Sequence, residues 1–377
     1  MAKHVACLRG WHPALARAEI AALLPSSTIT RIDARRLVLV ESDESPAEIE
    51  DAIECSSGCQ AVLFDAILWP ISDGIEGFLD AVGAYLTASP RHGSAAVRAW
   101  RHEGKVDGVR PSQLAGSIGG LLSASNYVID LEHPDHRLGL VVDASSMTLA
   151  CGWMIGTGDD SDGISARRAT DRPFFKPVSL DPRLARLAVN LASGPRCNGA
   201  TLDLMTGTGG FAIEAALSGR SVFAIDLDPV MIAGAQQNLD WASAQNPCTL
   251  LQGDATNLAS LLPSSATVAG FVLDPPYGRN SQGSLEPEHL IEAVLESSRQ
   301  VAQAHAAFVL IVPIQSHADQ LDEAIQDEAT IELLHGNWHT LSNAFAATGW
   351  RIQGRWVEHV HASLSRLIVH AVIAPQD

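Results

Sequence analysis

Leu202-Asp203-Leu204-Met205-Thr206-Gly207-Thr208-Gly209-Gly210-Phe211-Ala212-Ile213-Glu214 reads as a strand that turns through glycines into a helix. Glycine admits positive φ and lets a ligand approach the backbone closely, and the helix that follows presents its N-terminus to the turn. Asp203 falls at the strand end, facing the loop. A tight strand–helix turn with no ligand would look the same, so the neighbouring segments decide between the two. Ser221-Val-Phe-Ala-Ile-Asp226 is a second strand ending in an acid, about twenty residues on, where a carboxylate can hold ribose hydroxyls. Leu251-Gln-Gly-Asp254-Ala-Thr256 ends a third strand with an acid placed to reach an adenine amino group. Gly207, Gly209 and Gly210 do not make the G-x-G-x-x-G spacing of a dinucleotide loop. The pattern therefore favours S-adenosylmethionine, which has no pyrophosphate to cradle.

A fourth strand, Phe271-Val-Leu, runs into Asp274-Pro275-Pro276-Tyr277-Gly278-Arg279. That loop falls at the carboxyl edge, where open α/β sheets bind ligands. An exocyclic aryl amine is a poor nucleophile because its lone pair is delocalised into the ring. Asp274 can accept one N–H of such an amine and the Pro275 carbonyl the other, favouring a tetrahedral nitrogen. Two prolines stiffen the loop and fix these acceptors, which is catalysis by positioning, and Tyr277 offers a face for the target base. Asp-Pro-Pro alone could be a turn after a buried strand. Its place after a glycine loop and two acid-ended strands argues for the chemistry.

Strand-like runs at 200–204, 221–225, 249–251, 268–273 and 307–312 alternate with helical patterns, predicting a parallel sheet covered by helices on both faces. Asp181-Pro182 is an N-cap and first-turn pair, and Asp228-Pro229 repeats the device. The first 150 or so residues read as α+β: helices at Pro13–Leu24, Gly74–Leu86 and Pro111–Leu122, strands at Leu37–Val40, Ala95–Trp100, Tyr127–Leu131 and Leu138–Val142. Gly156-Thr-Gly-Asp-Asp-Ser-Asp-Gly163 reads as a linker or exposed loop.

With 46% hydrophobic and 18% charged residues, the 377-residue chain has the composition of a core-forming protein of two or three units. It has no run of about 18 apolar residues to span a membrane, and its first residues lack a signal-peptide pattern. The expected location is cytoplasmic. Cys55 and Cys59 lack zinc-site spacing, and no metal is expected. The net charge of −18 is uneven: residues 1–165 carry −10, 201–377 carry −13, and 166–200 carry +5. Arg167, Arg168 and Arg172 in this basic segment are candidates for nucleic-acid phosphates; a solvated helix face plus linker is the bland alternative.

The glycine loop and Asp274-Pro275-Pro276-Tyr277 together resemble the class I amino-methyltransferases. Arg172-Pro-Phe-Phe-Lys-Pro-Val-Ser-Leu-Asp-Pro-Arg-Leu-Ala-Arg-Leu-Ala-Val-Asn-Leu191 narrows this. It resembles the entry helix of the archaeal tRNA guanine-10 N2-methyltransferases and their eukaryotic relatives, and His361–His370 resembles their closing hairpin. Residues 95–143, with Val97-Arg98-Ala-Trp-Arg101 and Tyr127–Asp135, are similar to a THUMP domain. The sequence departs from the family where Leu204, Met205 and Thr206 replace proline, an aromatic and cysteine, and where Lys176 replaces a common histidine.

The resemblance implies an α/β class I Rossmann-like methyltransferase domain over 181–377, its seven-stranded sheet closed by an antiparallel hairpin. Before it would come an α+β ferredoxin-like part (1–55), a THUMP-like RNA-binding domain (56–150) and a linker with the basic segment (151–180). It implies transfer from S-adenosylmethionine to N2 of guanosine 10 of tRNA, the acceptor end held by the THUMP module. Asp203, Gly207, Gly209, Asp226 and Asp254 would hold the cofactor. The same chemistry at guanosine 6 or on ribosomal RNA, and a tRNA-binding relative without turnover, remain alternatives. No partner protein is indicated.

Overall fold

A computed structural model of the chain describes residues 2–156, 163–177, 179–194, 198–244, 248–276, 287–316 and 322–374. The chain forms two compact units, Met1–Asp162 and Gly163–Asp377.

The first unit contains β1 (Ala2–Leu8), α1 (Pro13–Leu23), β2 (Thr28–Arg31), β3 (Leu37–Ser42), α2 (Pro46–Cys55), β4 (Cys59–Pro70), α3 (Ile75–Ala88), β5 (Ser94–His102), α4 (Pro111–Ala124), β6 (Val128–Ile129), β7 (His136–Asp143) and β8 (Thr148–Gly156). These strands make one sheet in the order β2-β3-β1-β4-β8-β7-β5-β6. Residues 1–55 and 56–150, two parts in the sequence reading, thus share a sheet. Val5 of β1 lies opposite Leu63 of β4 in antiparallel register. The buried run Val5–Leu8 is flanked by β3 on one side and β4 on the other, as a central strand must be to satisfy its backbone groups. Residues 151–156, read as the start of a linker, complete β8 for the same reason. The strand expected over 127–131 shrinks to Val128–Ile129 at the sheet edge.

The second unit contains α5 (Pro182–Ala192), β9 (Ala200–Asp203), α6 (Gly210–Leu217), β10 (Val222–Asp226), α7 (Pro229–Trp241), β11 (Cys248–Gln252), α8 (Leu258–Leu261), β12 (Val268–Leu273), α9 (Pro287–Val301), β13 (Ala302–Ile314), α10 (Trp338–Ala347), β14 (Trp350–His361) and β15 (Leu364–Ile373). The sheet order is β11-β10-β9-β12-β13-β15-β14. Strands β9 to β13 are parallel, and β15 joins β13 and β14 antiparallel. The expected seven-stranded sheet with its closing hairpin is present. Both Asp-Pro pairs cap as expected: Asp181 accepts from the Arg183 amide and Asp228 from the Val230 amide, each at 2.8 Å. Phe271, Phe308 and Trp350 pack ring to ring in the core, with centroids 5.5 to 5.9 Å apart. Helix α5 reaches β12 closely because Gly270 has no Cβ, which would collide with the Ala192 carbonyl. No helix among the described residues is long and apolar enough to cross a membrane.

Candidate active site

Strand β9 has β10 on one side and β12 on the other, so the chain leaves it in opposite directions along the sheet. Such a switch point leaves a crevice at the carboxyl ends of the strands. Asp203 ends β9 and Asp226 ends β10, while Asp254 and Asp274 follow β11 and β12 within two residues of each strand end.

Asp203 is buried at 1% exposure. Its Oδ2 accepts the Thr206 hydroxyl at 2.7 Å and the Ala212 amide at 3.2 Å, fastening the glycine turn to the start of α6. Its Oδ1 has no hydrogen-bond partner among the described residues. Burial pushes its carboxyl up to about 7, and the charges of Asp226 and Asp274 add to the shift. Gly207 and Gly209 adopt φ of 52° and 82°, the left-handed region. A Cβ at Gly209 would press on Ala235 of α7, whereas the space about Gly207 is open. The Gly207 amide donates to Asp226 Oδ2 at 2.8 Å and the Asp228 amide to Asp226 Oδ1 at 2.9 Å. Asp226 is half-buried, and burial raises its pKa. Beside it Leu227 and Val230 are 55% and 57% exposed. Asp254 is exposed, and its Oδ1 accepts from the Thr256 amide and hydroxyl. Asp274 is half-buried, Pro275 buried and Pro276 exposed; Tyr277 lies outside the described residues. No group of three or more His, Cys, Asp or Glu is placed to hold a metal among the described residues.

The three arginines expected on phosphates divide. Arg167 donates from Nε and Nη2 to the two oxygens of Glu214, at 2.8 and 2.9 Å. Arg186 reaches Glu214 Oε2 at 2.9 to 3.1 Å. Arg172 is 4% exposed, its Nε donating to the Arg167 carbonyl. Glu214 is fully buried, and a lone buried carboxylate must recruit cations. It turns Arg167 inward, with Arg172 packed beside it. Only Arg168 of the three is exposed.

Two structural features beside the glycine loop escaped the sequence reading. Asn238, fully buried in α7, clamps the Phe174 backbone through its Oδ1 (2.9 Å) and Nδ2 (2.8 Å), and the same Nδ2 donates to the Thr208 carbonyl at 2.8 Å. Ser179 and Thr208 hydroxyls lie 3.1 Å apart. The segment after Arg172 is thereby tied to the glycine loop. Asn238 follows two glutamines in α7 and gives no signal, whereas Glu214 is the one charge in Gly210–Leu217.

The buried carboxyl of Asp203 has a measurable consequence. Its folded pKa of about 7 exceeds the ordinary 3.8, so the folded state holds the proton more tightly. Stability is full below the ordinary value, falls as pH rises through this interval, and levels off above about 7. Asp203→Asn should remove this fall. Melting temperatures across the interval check it; parallel profiles for variant and wild type would exclude the effect.

A sequence family described as "RMKL-like, methyltransferase domain" matches residues 169–343. The tRNA (guanine(10)-N2)-dimethyltransferase of Pyrococcus abyssi is 29% identical over 254 residues, 66% of this chain and 65% of that protein. The enzyme of the same name from Methanothermobacter thermautotrophicus is 37% identical over 208 residues, covering 54% and 58% respectively. A probable tRNA (guanine(10)-N2)-dimethyltransferase from Methanothermococcus thermolithotrophicus is 32% identical over 109 residues, 28% of this chain and 67% of that one. The match thus spans under two thirds of the first two relatives. Among solved structures, TrmN from Thermus thermophilus aligns with a TM-score of 0.48 and 20% identity, covering 98% of this chain and 99% of that one.

Proposed function

The chain belongs to the family of archaeal tRNA (guanine(10)-N2)-dimethyltransferases, and we propose that it methylates the N2 amine of a tRNA guanosine, at position 10, once or twice. The second unit has the class I Rossmann-like methyltransferase fold. One observation carries the reading: Asp274-Pro275-Pro276 follows β12 directly, beside the acid and glycine turn that end β9.

The strand-end residues fit S-adenosylmethionine. Asp203 keeps one buried oxygen unpartnered among the described residues, suited to an ammonium group. Asp226 offers a half-buried carboxylate to ribose hydroxyls, and Leu227 and Val230 offer apolar surface beside it. Four carboxylates about one crevice suit a cofactor bearing a sulfonium and an ammonium, and would repel a pyrophosphate. Asp254 would face the adenine amine, and Gly207 and Gly209 let the backbone lie against the ligand. Bound there, S-adenosylmethionine supplies an electrophilic methyl group on a positively charged sulfur.

Asp274 and the Pro275 carbonyl would accept the two amine hydrogens and turn the nitrogen lone pair away from the ring plane. Because the methyl group would leave a positively charged sulfur as the amine attacked it, the site would need no strong base. The Asp274 carboxylate would then take the proton that the methylated amine must release. Tyr277 would stack on the base, which must leave its own stack to enter. Residues 56–150 would be the THUMP-like module that holds the tRNA acceptor end, with Arg168 the remaining candidate of its group for a phosphate. The protein would act in the cytoplasm, on its tRNA substrate.

Asp226→Ala should weaken S-adenosylhomocysteine binding about ten- to hundredfold, the effect of losing hydrogen bonds to a charged acceptor. Calorimetry on a folded variant checks this. Unchanged affinity would remove Asp226 from the cofactor site. The function itself is tested by incubating tRNA with the protein and labelled S-adenosylmethionine, then mapping the modified nucleoside.

A further inference from the structure

We infer that Phe175 and Lys176 form a contact for a nucleotide of the RNA, the ring stacking on a base and the amine meeting a phosphate. This rests on the reading above that tRNA is the substrate.

Phe175 is 45% exposed, yet it sits on a segment held firmly at both ends. Immediately before it, the Phe174 backbone is clamped by Asn238, and its ring fills the space that a Cβ on Gly234 would need. Immediately after it, the Lys176 carbonyl accepts the Ser179 hydroxyl at 2.8 Å, and that hydroxyl lies 3.1 Å from Thr208 of the glycine loop. Along Arg172–Pro177, Arg172 is buried, Phe174 and Lys176 half-buried, and Pro173, Phe175 and Pro177 exposed. The alternation turns Phe175 outward on a rigid mount, so an aromatic face meets solvent at the rim of the cofactor loop.

Charge points to the occupant. Residues 166–200 carry +5 while 201–377 carry −13. Within the basic segment, Arg167 and Arg186 are committed to buried Glu214, and Arg172 is buried beside them. Arg168 is exposed and Lys176 half-exposed, the Lys176 amine lying 5.5 Å from the Phe174 ring centroid. Phe175 and Lys176 are successive residues, the amine lying toward Phe174, and an aromatic face with a cation one residue away suits single-stranded nucleic acid, base on aromatic and phosphate on amine. The mount is bonded to Thr208, five residues from Asp203, and Asp274 is near enough to act electrostatically on Asp203. A nucleotide on Phe175 would therefore lie close to the reacting one, or be that nucleotide.

The test uses the full chain and a tRNA transcript that the wild type methylates. Phe175→Ala should keep S-adenosylhomocysteine affinity within about twofold while kcat/KM for tRNA falls about ten- to hundredfold, the range for one lost stacking contact. Phe175→Trp should restore most of it. Lys176→Ala should raise KM for tRNA and lower the salt slope by about one contact. Wild-type kcat/KM in Phe175→Ala would overturn the inference, as would an equal loss of cofactor affinity, which would place the ring against the cofactor. A wild-type protein that transfers no methyl to any tRNA would instead overturn the proposed function, and this inference with it.

Discussion

Asp274→Ala is expected to slow methyl transfer by about 10²–10³-fold, the usual cost of deleting one preorganised electrostatic partner of a transition state. Affinity for S-adenosylhomocysteine should stay within a few-fold, because the carboxylate acts on the amine. The buried Pro275 and the strand before it hold the loop without the Asp274 side chain, so the variant should fold. Asp274→Asn keeps an oxygen acceptor but loses the charge, and should fall between variant and wild type. Single-turnover transfer to tRNA under saturating cofactor measures the step directly. A near-wild-type rate in the alanine variant would mean that the amine is oriented elsewhere, and the reading of the Asp-Pro-Pro loop would fall.

Glu214→Ala should produce the largest loss of stability. Glu214 is fully buried and takes two hydrogen bonds from Arg167 and further contacts from Arg186. Arg172 lies close enough for its charge to respond to Glu214. Removing the carboxylate leaves buried guanidinium groups without their counter-charge, which costs about 3–5 kcal/mol. For a unit of this size that is a fall in melting temperature on the order of 10 °C. Glu214→Gln keeps acceptors for some of the donors and should lose less. Calorimetric melting distinguishes the cases; a shift of only a degree or two would show that the arginines find water or other acceptors. Replacing Arg167 or Arg172 would disturb this same cluster, so weaker tRNA binding in such variants would not identify a phosphate contact.

Much of the second unit was legible because its signals are local. A strand ending in an acid, a glycine turn and an Asp-Pro cap each occupy a few adjacent residues and obey short-range sterics. Asp203, Asp226, Asp254 and Asp274 could thus be assigned to strand ends before their strands were paired. Parallel pairing of alternating strands then brings all four to one edge of the sheet. The first unit was less legible: β1, β4 and β8 carry long buried runs whose partners are distant in sequence, and only pairing tells such a run from a buried helix.

The basic segment marks the boundary most clearly. In the sequence Arg167, Arg168 and Arg172 are equivalent cations in a +5 stretch. Tertiary structure separates them, because α6 buries Glu214 and a carboxylate withdrawn from water must be paired. The partners it draws in are Arg167 and Arg186, 47 and 28 residues away along the chain. Arg168 is left to solvent, and Asn238, 64 residues beyond Phe174, sets the backbone that presents Phe175. The sequence by itself determined the fold class, the strand-end acids and the place of the Asp-Pro-Pro loop after β12, since each follows from neighbouring residues. Which cations and which ring face outward was decided by folding, because desolvation acts on a side chain through whatever the rest of the chain packs around it.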